Sequence, residues 1–172
     1  DWRDYVYGVL TAVSSESKVK GGQIYVRQSL ASAGLASSAS FCVGLAKILC
    51  PDLTSLELAE KSWQAERNYV GVKCGIMDQL SITLGGGLNI RAKDLSFSSV
   101  SLENSNCQLV ILDTLVPRKL ISSGYNSRYE EMLEVAEAIG LKSVNLIAGL
   151  NGVPKNLRPK LRARLSHVLS EC

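Results

Sequence analysis

Apolar residues recur at helical spacing at the start of the chain, where Trp2, Tyr5, Val6, Val9, Leu10 and Val13 fall on one stripe. An amphipathic helix is predicted there, closing in the polar run 14–20. Gly21 and Gly22 punctuate, and Ile24 and Val26 then alternate with Tyr25 and Arg27, the period of a short strand. That strand leads into 30–40, a loop of mostly small residues. The loop runs straight into 41–49, apolar on most faces and predicted to be a buried helix that Pro51 ends.

Thr54 and Glu57 match the capping-box pattern, in which each side chain satisfies an N–H group of the other residue, and open a helix running to about 67 with Gly71 beyond its end. Apolar residues over 74–84 predict another helix, stopped by Gly85, Gly86 and Gly87. Segments 88–92 and 108–114 read as strands, joined by a polar, serine-rich connection over 93–106. Tyr129, Met132, Leu133, Ala136 and Ile139 mark a helix over 127–139 that Gly140 stops. After a loop at 151–159, Pro159 fits the first turn of a last helix, with Leu161, Leu165, Val168 and Leu169 on one side. Helices and strands mixed without strict alternation predict an α+β fold rather than a doubly wound sheet.

Composition narrows the class. The 172 residues suffice for one domain with a core, or one domain and part of another. Apolar content of 46% and charged content of 20% are those of an ordinary globular chain and exclude disorder. A net charge of +3 is too small to imply nucleic acid unless the charge is clustered. The cluster Lys155, Arg158, Lys160, Arg162 and Arg164 has no interleaved aromatics and reads as a solvated helix face. Five cysteines without a C-x-x-C pair suggest neither a disulfide framework nor a zinc knuckle, and point to a reducing cytosol. No apolar run has bilayer length and no signal pattern opens the chain, so no membrane association is expected. A start at Asp1 rather than Met leads us to expect a partial sequence.

The loop carries the first candidate chemistry. Gly34 and its small neighbours let backbone N–H groups approach a ligand closely, and a helix beginning near Ser37 would aim its positive end at an anion, with phosphate the natural occupant. The competing reading is a loop whose Ser37 or Ser38 merely caps a buried helix. Neither the Walker pattern nor the dinucleotide pattern of glycines is present. Glu66, beside Arg67 at a helix end, reads by itself as a solvated surface acid. Asp78 has apolar neighbours that predict partial burial, and must then be paired, cap a helix or be functional. His167, the only histidine, lacks a nucleophile motif or a second histidine and reads as a surface or half-buried helix residue.

Gly34-Leu-Ala-Ser-Ser-Ala-Ser40 resembles the GLSSSAS phosphate loop of the GHMP sugar kinases, and Cys74-Gly-Ile-Met-Asp-Gln79 is similar to the CGxMDQ signature of galactokinases within that superfamily. Trp2, Tyr5 and Gly8 resemble the family's W-x-x-Y-x-x-G start, and Gly124-Tyr-Asn-Ser-Arg128 its S-x-Y-x-x-R. The resemblance implies a ribosomal-protein-S5-like GHMP kinase N-terminal domain over 1–117 and the start of a ferredoxin-like C-terminal domain over 118–172. It implies transfer of the ATP γ-phosphate to the anomeric hydroxyl of galactose or a related sugar, with Mg²⁺, in a cytoplasmic protein that is a monomer when complete. Ser32, Ala33, Gly34, Leu35, Ala36, Ser37 and Ser38 would then cradle ATP. Ser38 and Glu66 would hold Mg²⁺, Asp78 would take or orient the acceptor proton, and Gly75 and Tyr125 would help to hold the sugar.

The chain also departs from the family pattern. Leu30 replaces a proline, Ser32 and Ala33 stand where glycines are usual, and Ala36 takes the first serine of the triplet. The family's N-terminal GRVNLxGEHTDY stretch is not found, so as it stands the chain is expected to carry half a site and to be inactive. Two rivals remain: a non-catalytic sugar and nucleotide sensor of the same fold, and a basic RNA-binding module. A sensor relative lacks two residues after the serine triplet, whereas Ser37-Ser-Ala-Ser40 keeps the full spacing and favours a kinase.

Overall fold

The structure, a computed structural model, describes residues 1–18, 20–27, 34–91, 94–101, 108, 110–112 and 124–171. They divide into two compact units, Asp1–Ile90 with Phe97–Ser123, and Arg91–Ser96 with Gly124–Cys172. The boundary expected between 117 and 118 lies outside the described residues.

Helices dominate the first unit: α1 (Trp2–Ala12), α2 (Ser37–Leu49), α3 (Ser55–Gln64) and α4 (Met77–Leu84), with a π-helical turn, Ala65–Val70, continuing α3. Local chemistry fixes the starts of α1 and α3. Asp1 and Asp4 form a capping box on α1, and Thr54 and Glu57 form the expected one on α3, the Thr54 N–H donating to Glu57 Oε2 at 2.9 Å. Val9, Ala12 and Val13 of the α1 end pack with Cys42, Val43, Leu45, Ala46 and Leu49 of α2, and with Leu58 and Ala65. Burying one such aliphatic side chain contributes about 1.5–3 kcal/mol, so α2 is the hub of this core.

The π-helical turn sits against α1 at Gly8. A Cβ there would stand 2.9 Å from the Ala65 carbonyl oxygen and 3.2 Å from the Tyr69 Cβ, so only glycine permits this approach. Gly71, in the left-handed region at φ +81°, ends the turn, its N–H donating to the Glu66 carbonyl oxygen. The helix expected to reach 67 therefore ends as an α-helix at Gln64, and a wider turn carries it on to Val70.

The sheet differs most from expectation. β1 (Gly87–Arg91) falls where a strand is predicted, but its partner is β2 (Ser96–Val100), inside the serine-rich connection. The short span between them forbids a crossover, so the pair is antiparallel. Asp94 supplies the turn, accepting from the Ser96 N–H at 3.1 Å and its hydroxyl at 2.7 Å. A turn-forming aspartate outweighs the polar composition of a strand that is exposed throughout. Ile24, Tyr25 and Val26 are exposed and form no strand, because alternation alone supplies no ladder partner. Of the strand expected at 108–114, the described residues 108 and 110–112 lie outside the sheet.

The second unit packs α5 (Tyr125–Ala138) and α6 (Pro159–Glu171) with a 3₁₀ turn, Val144–Gly149. Its core is Val135, Ala136, Ile147, Leu157, Leu161 and Leu165. Pro159 opens α6 as expected, and Gly140 follows α5 at φ +73°. Buried Glu131 receives Lys160 at 2.8 Å, Arg164 at 2.8 Å and Arg128 at 2.7 Å, while Arg158 pairs with Glu134 at 2.7 Å. Much of the basic run is thus engaged in ion pairs, and His167 is exposed.

Candidate active site

Ser37 and Ser38 lie in the first turn of α2, and neither caps it. The cap position is Ala36, held at φ +53° with no side-chain hydrogen bond to the helix, which removes the capping reading of the serines. A left-handed conformation costs a non-glycine residue about 1–2 kcal/mol, so strain is stored where the loop meets the helix. Gly34 is also left-handed at φ +79°, and Leu35 is exposed. Ser32 and Ala33 lie outside the described residues.

Glu66 is only 2% exposed, which overturns the solvated reading. The π-helical turn rotates its side chain inward rather than to the surface. The Ser38 hydroxyl stands beside its carboxylate, placed to donate to it, and the Gln79 amide Nε2 donates to Glu66 Oε1 at 2.9 Å. Burial pushes the Glu66 carboxyl above the usual range; Ser38 and Gln79 pull the other way, and the charge of Asp78 adds a further push upward. The two residues assigned to a metal by resemblance are thereby brought together, one from α2 and one from the π-helical turn that continues α3.

Asp78 is the second residue of α4 and is exposed, against the expectation of partial burial. It is not the helix cap, which is Ile76. The apolar neighbour Leu80 turns to the core while Asp78 and Met77 face out, so the helix begins three residues later than 74 and sorts its faces differently. Gly75 is exposed. Tyr125, the first residue of α5, is half-buried in the second unit.

The segment before Asp78 is fixed by a clamp that sequence reasoning missed. The Cys74 carbonyl accepts from Trp63 Nε1 at 2.9 Å and from Arg67 at 3.0 Å, and the Arg67 guanidinium lies 5.4 Å over the Trp63 ring. The four-residue spacing of an aromatic and an arginine on one helix is the signal that points to it. Burial and then the Glu66 charge push the Cys74 thiol up to about 11, and burial raises Cys42 as well, so both thiols are protonated and poor nucleophiles.

Gln79 was also missed, although it ends the signature stretch. It is 1% exposed, and its Oε1 is a buried acceptor with no partner among the described residues, an arrangement that costs about 1–3 kcal/mol unless a ligand or water satisfies it. A hydroxyl, a buried carboxylate and this orphaned oxygen are all hard donors. Among the described residues no group of three His, Cys, Asp or Glu residues gathers. The donor set fits Mg²⁺, which keeps its waters and takes one or two carboxylates with substrate phosphates.

Residues 4–86 match the family described as GHMP kinases N terminal domain. That stretch, 4–86, is therefore similar to the N-terminal domain of the GHMP kinases. The galactokinases of Thermotoga petrophila and Thermotoga neapolitana are each 32% identical to the chain over 179 aligned residues, 99% of this chain and 51% of theirs. The crystal structure of Lactococcus lactis galactokinase complexed with galactose has the same fold, with a TM-score of 0.81, 24% identity and coverage of 99% of this chain and 48% of that one. The chain is similar to galactokinases along its length, and spans about half the length of the relatives it matches. No helix among the described residues is long and apolar enough to cross a membrane.

Proposed function

We propose that the protein is a galactokinase-like sugar kinase, moving the γ-phosphate of ATP to the anomeric hydroxyl of galactose or a related sugar. The observation that carries this reading is the meeting of Ser38 and Glu66 in a chain whose relatives are galactokinases. The loop 32–38 would cradle the phosphates, with the unpaired N–H groups at the start of α2 as donors. Ser38 and Glu66 would hold Mg²⁺, which when bound neutralises phosphate charge during transfer. Asp78, exposed and therefore accessible, would accept or orient the proton of the sugar hydroxyl, and Gly75 and Tyr125 would help hold the sugar. The Trp63 and Arg67 clamp on Cys74 supports this role by fixing the backbone that leads to Asp78. We assign 1–117 to an S5-like N-terminal domain and 118–172 to the opening of a ferredoxin-like domain. The ion pairs of Arg158, Lys160 and Arg164 leave no observation favouring an RNA-binding reading.

A coupled ADP-release assay on the full-length protein, with Mg·ATP and a panel of hexoses, tests the reading. Galactose-dependent turnover of roughly 1 s⁻¹ or more is expected, as for other kinases. Asp78→Asn should lower it by about 10²-fold or more with nucleotide affinity nearly unchanged. ATP binding without phosphorylation of any hexose would instead favour the sensor role.

A further inference from the structure

We propose that Gln79 is a positioning residue for the divalent-cation site, its amide N–H holding the Glu66 carboxylate in the orientation that receives the cation, and its carbonyl oxygen serving as an outer acceptor beside it. The inference rests on the assignment of Ser38 and Glu66 given above.

The geometry is specific. Gln79 Nε2 donates to Glu66 Oε1 at 2.9 Å, and both side chains are buried. In the ionised form that receives a cation the Glu66 carboxylate only accepts, so its partner must be the amide N–H, and turning the amide over would set oxygen against oxygen. This direction leaves Gln79 Oε1 buried without a partner among the described residues. An acceptor of that kind calls for a donor beyond the described residues, and the waters carried by a hydrated Mg²⁺ are such donors. The hydrogen bond also joins two elements. Gln79 stands next to Asp78 in the first turn of α4, while Glu66 belongs to the π-helical turn. One side chain therefore ties the carboxylate proposed for the metal to the helix proposed for the acceptor. A residue that orients a metal ligand in this way typically affects metal affinity by 10–100-fold.

The test is Mn²⁺ titrated into the full-length protein and followed by electron paramagnetic resonance, for the wild type, Gln79→Met, Gln79→Asn and Glu66→Gln. Melting temperature and ATP affinity in EDTA are measured on the same samples. Methionine keeps the length and burial of the side chain but lacks the donor. Gln79→Met is expected to bind Mn²⁺ roughly 10–100-fold more weakly while metal-free ATP affinity stays within about twofold of the wild type. A merely structural glutamine would lower melting temperature and metal-free ATP affinity together with the metal affinity, and that pattern overturns the proposal. Should Gln79→Met not fold, Gln79→Asn is read the same way, since it keeps the amide but withdraws it from Glu66. Failure of both to fold assigns Gln79 to the core and also overturns it. Wild-type Mn²⁺ affinity in Gln79→Met beside a loss in Glu66→Gln rejects the role of Gln79 alone. Wild-type Mn²⁺ affinity in Glu66→Gln rejects the metal site itself.

Discussion

The hydroxyl of Ser38, in the first turn of α2, stands beside the buried carboxylate of Glu66 at the start of the π-helical turn, placed to donate to it. A hydrogen bond to a charged group contributes about 1.5–3 kcal/mol, and a buried carboxylate stripped of a donor costs more than an exposed one. Ser38→Ala should therefore lower stability by roughly 1.5–3 kcal/mol. The neighbouring Ser37→Ala, with no such bond, should stay within about 0.5 kcal/mol of the wild type. Urea unfolding of the two variants checks this; equal losses would mean that the Ser38 bond does not carry the difference.

Two glycines make opposite predictions from the same substitution. At Gly8 a methyl group would meet the Ala65 carbonyl oxygen at 2.9 Å, and because that neighbour is backbone the π-helical turn must shift. Gly8→Ala is expected to destabilise by about 1–3 kcal/mol. Gly44, on the exposed side of α2, has nothing within 4 Å of an added Cβ, so Gly44→Ala should stabilise by about 0.5–1 kcal/mol through helix propensity. Thermal melts separate them, since each kcal/mol moves a domain of this size by roughly 2–4 °C.

How far the sequence anticipates these contacts depends on what kind of force sets each one. Caps and terminators are local, and Thr54 with Glu57, Gly140 and Pro159 stand where the residue types place them. The partnership of Ser38 with Glu66 was legible only through family resemblance, because an acid at a helix end is by default a surface residue. Its burial depends on a π-helical turn that no periodicity announces. Asp78 shows the reverse: apolar neighbours on a helix report the burial of their own face, not of the residue between them. The β1–β2 pairing was hidden because a strand exposed throughout carries no hydrophobic alternation, while Ile24 to Val26 carries alternation without a partner.

Glu131 makes a pH prediction for the second unit. Lys160 and Arg128, with Arg164, pull its carboxyl down to about 2. A depressed acid contributes stability that is fully present above its unfolded value near 4.5 and is lost as pH falls through the folded value. The loss should therefore develop between about pH 4.5 and 2. Glu131→Gln should be less stable at neutral pH and show a flatter stability profile across that window. Denaturant melts at pH 6, 4 and 2 check the slope, and parallel profiles for the variant and wild type would assign the acid transition to other carboxylates.

The 172-residue chain expressed alone is predicted not to phosphorylate galactose and to self-associate. Alignment of bound reactants is worth roughly 7–11 kcal/mol, and phosphoryl transfer depends on positioning and electrostatics, so a chain spanning about half the length of its relatives should lack much of the sugar's grip. Ser38, Glu66 and Asp78 would remain, with little to hold the acceptor in line. The surface points the same way. Tyr25 is 92% exposed and Leu112 83% exposed, each beside other exposed apolar residues, Ile24 and Val26 in one case and Val110 and Ile111 in the other. Contiguous apolar surface of this kind favours association. Both strands of the hairpin also have edges without a further partner among the described residues. ADP release with galactose and Mg·ATP, run beside light scattering on the same sample, is the measurement. Galactose-dependent turnover near 1 s⁻¹ from a monodisperse monomer would show that this half is sufficient and that the sugar is held by residues other than those assigned.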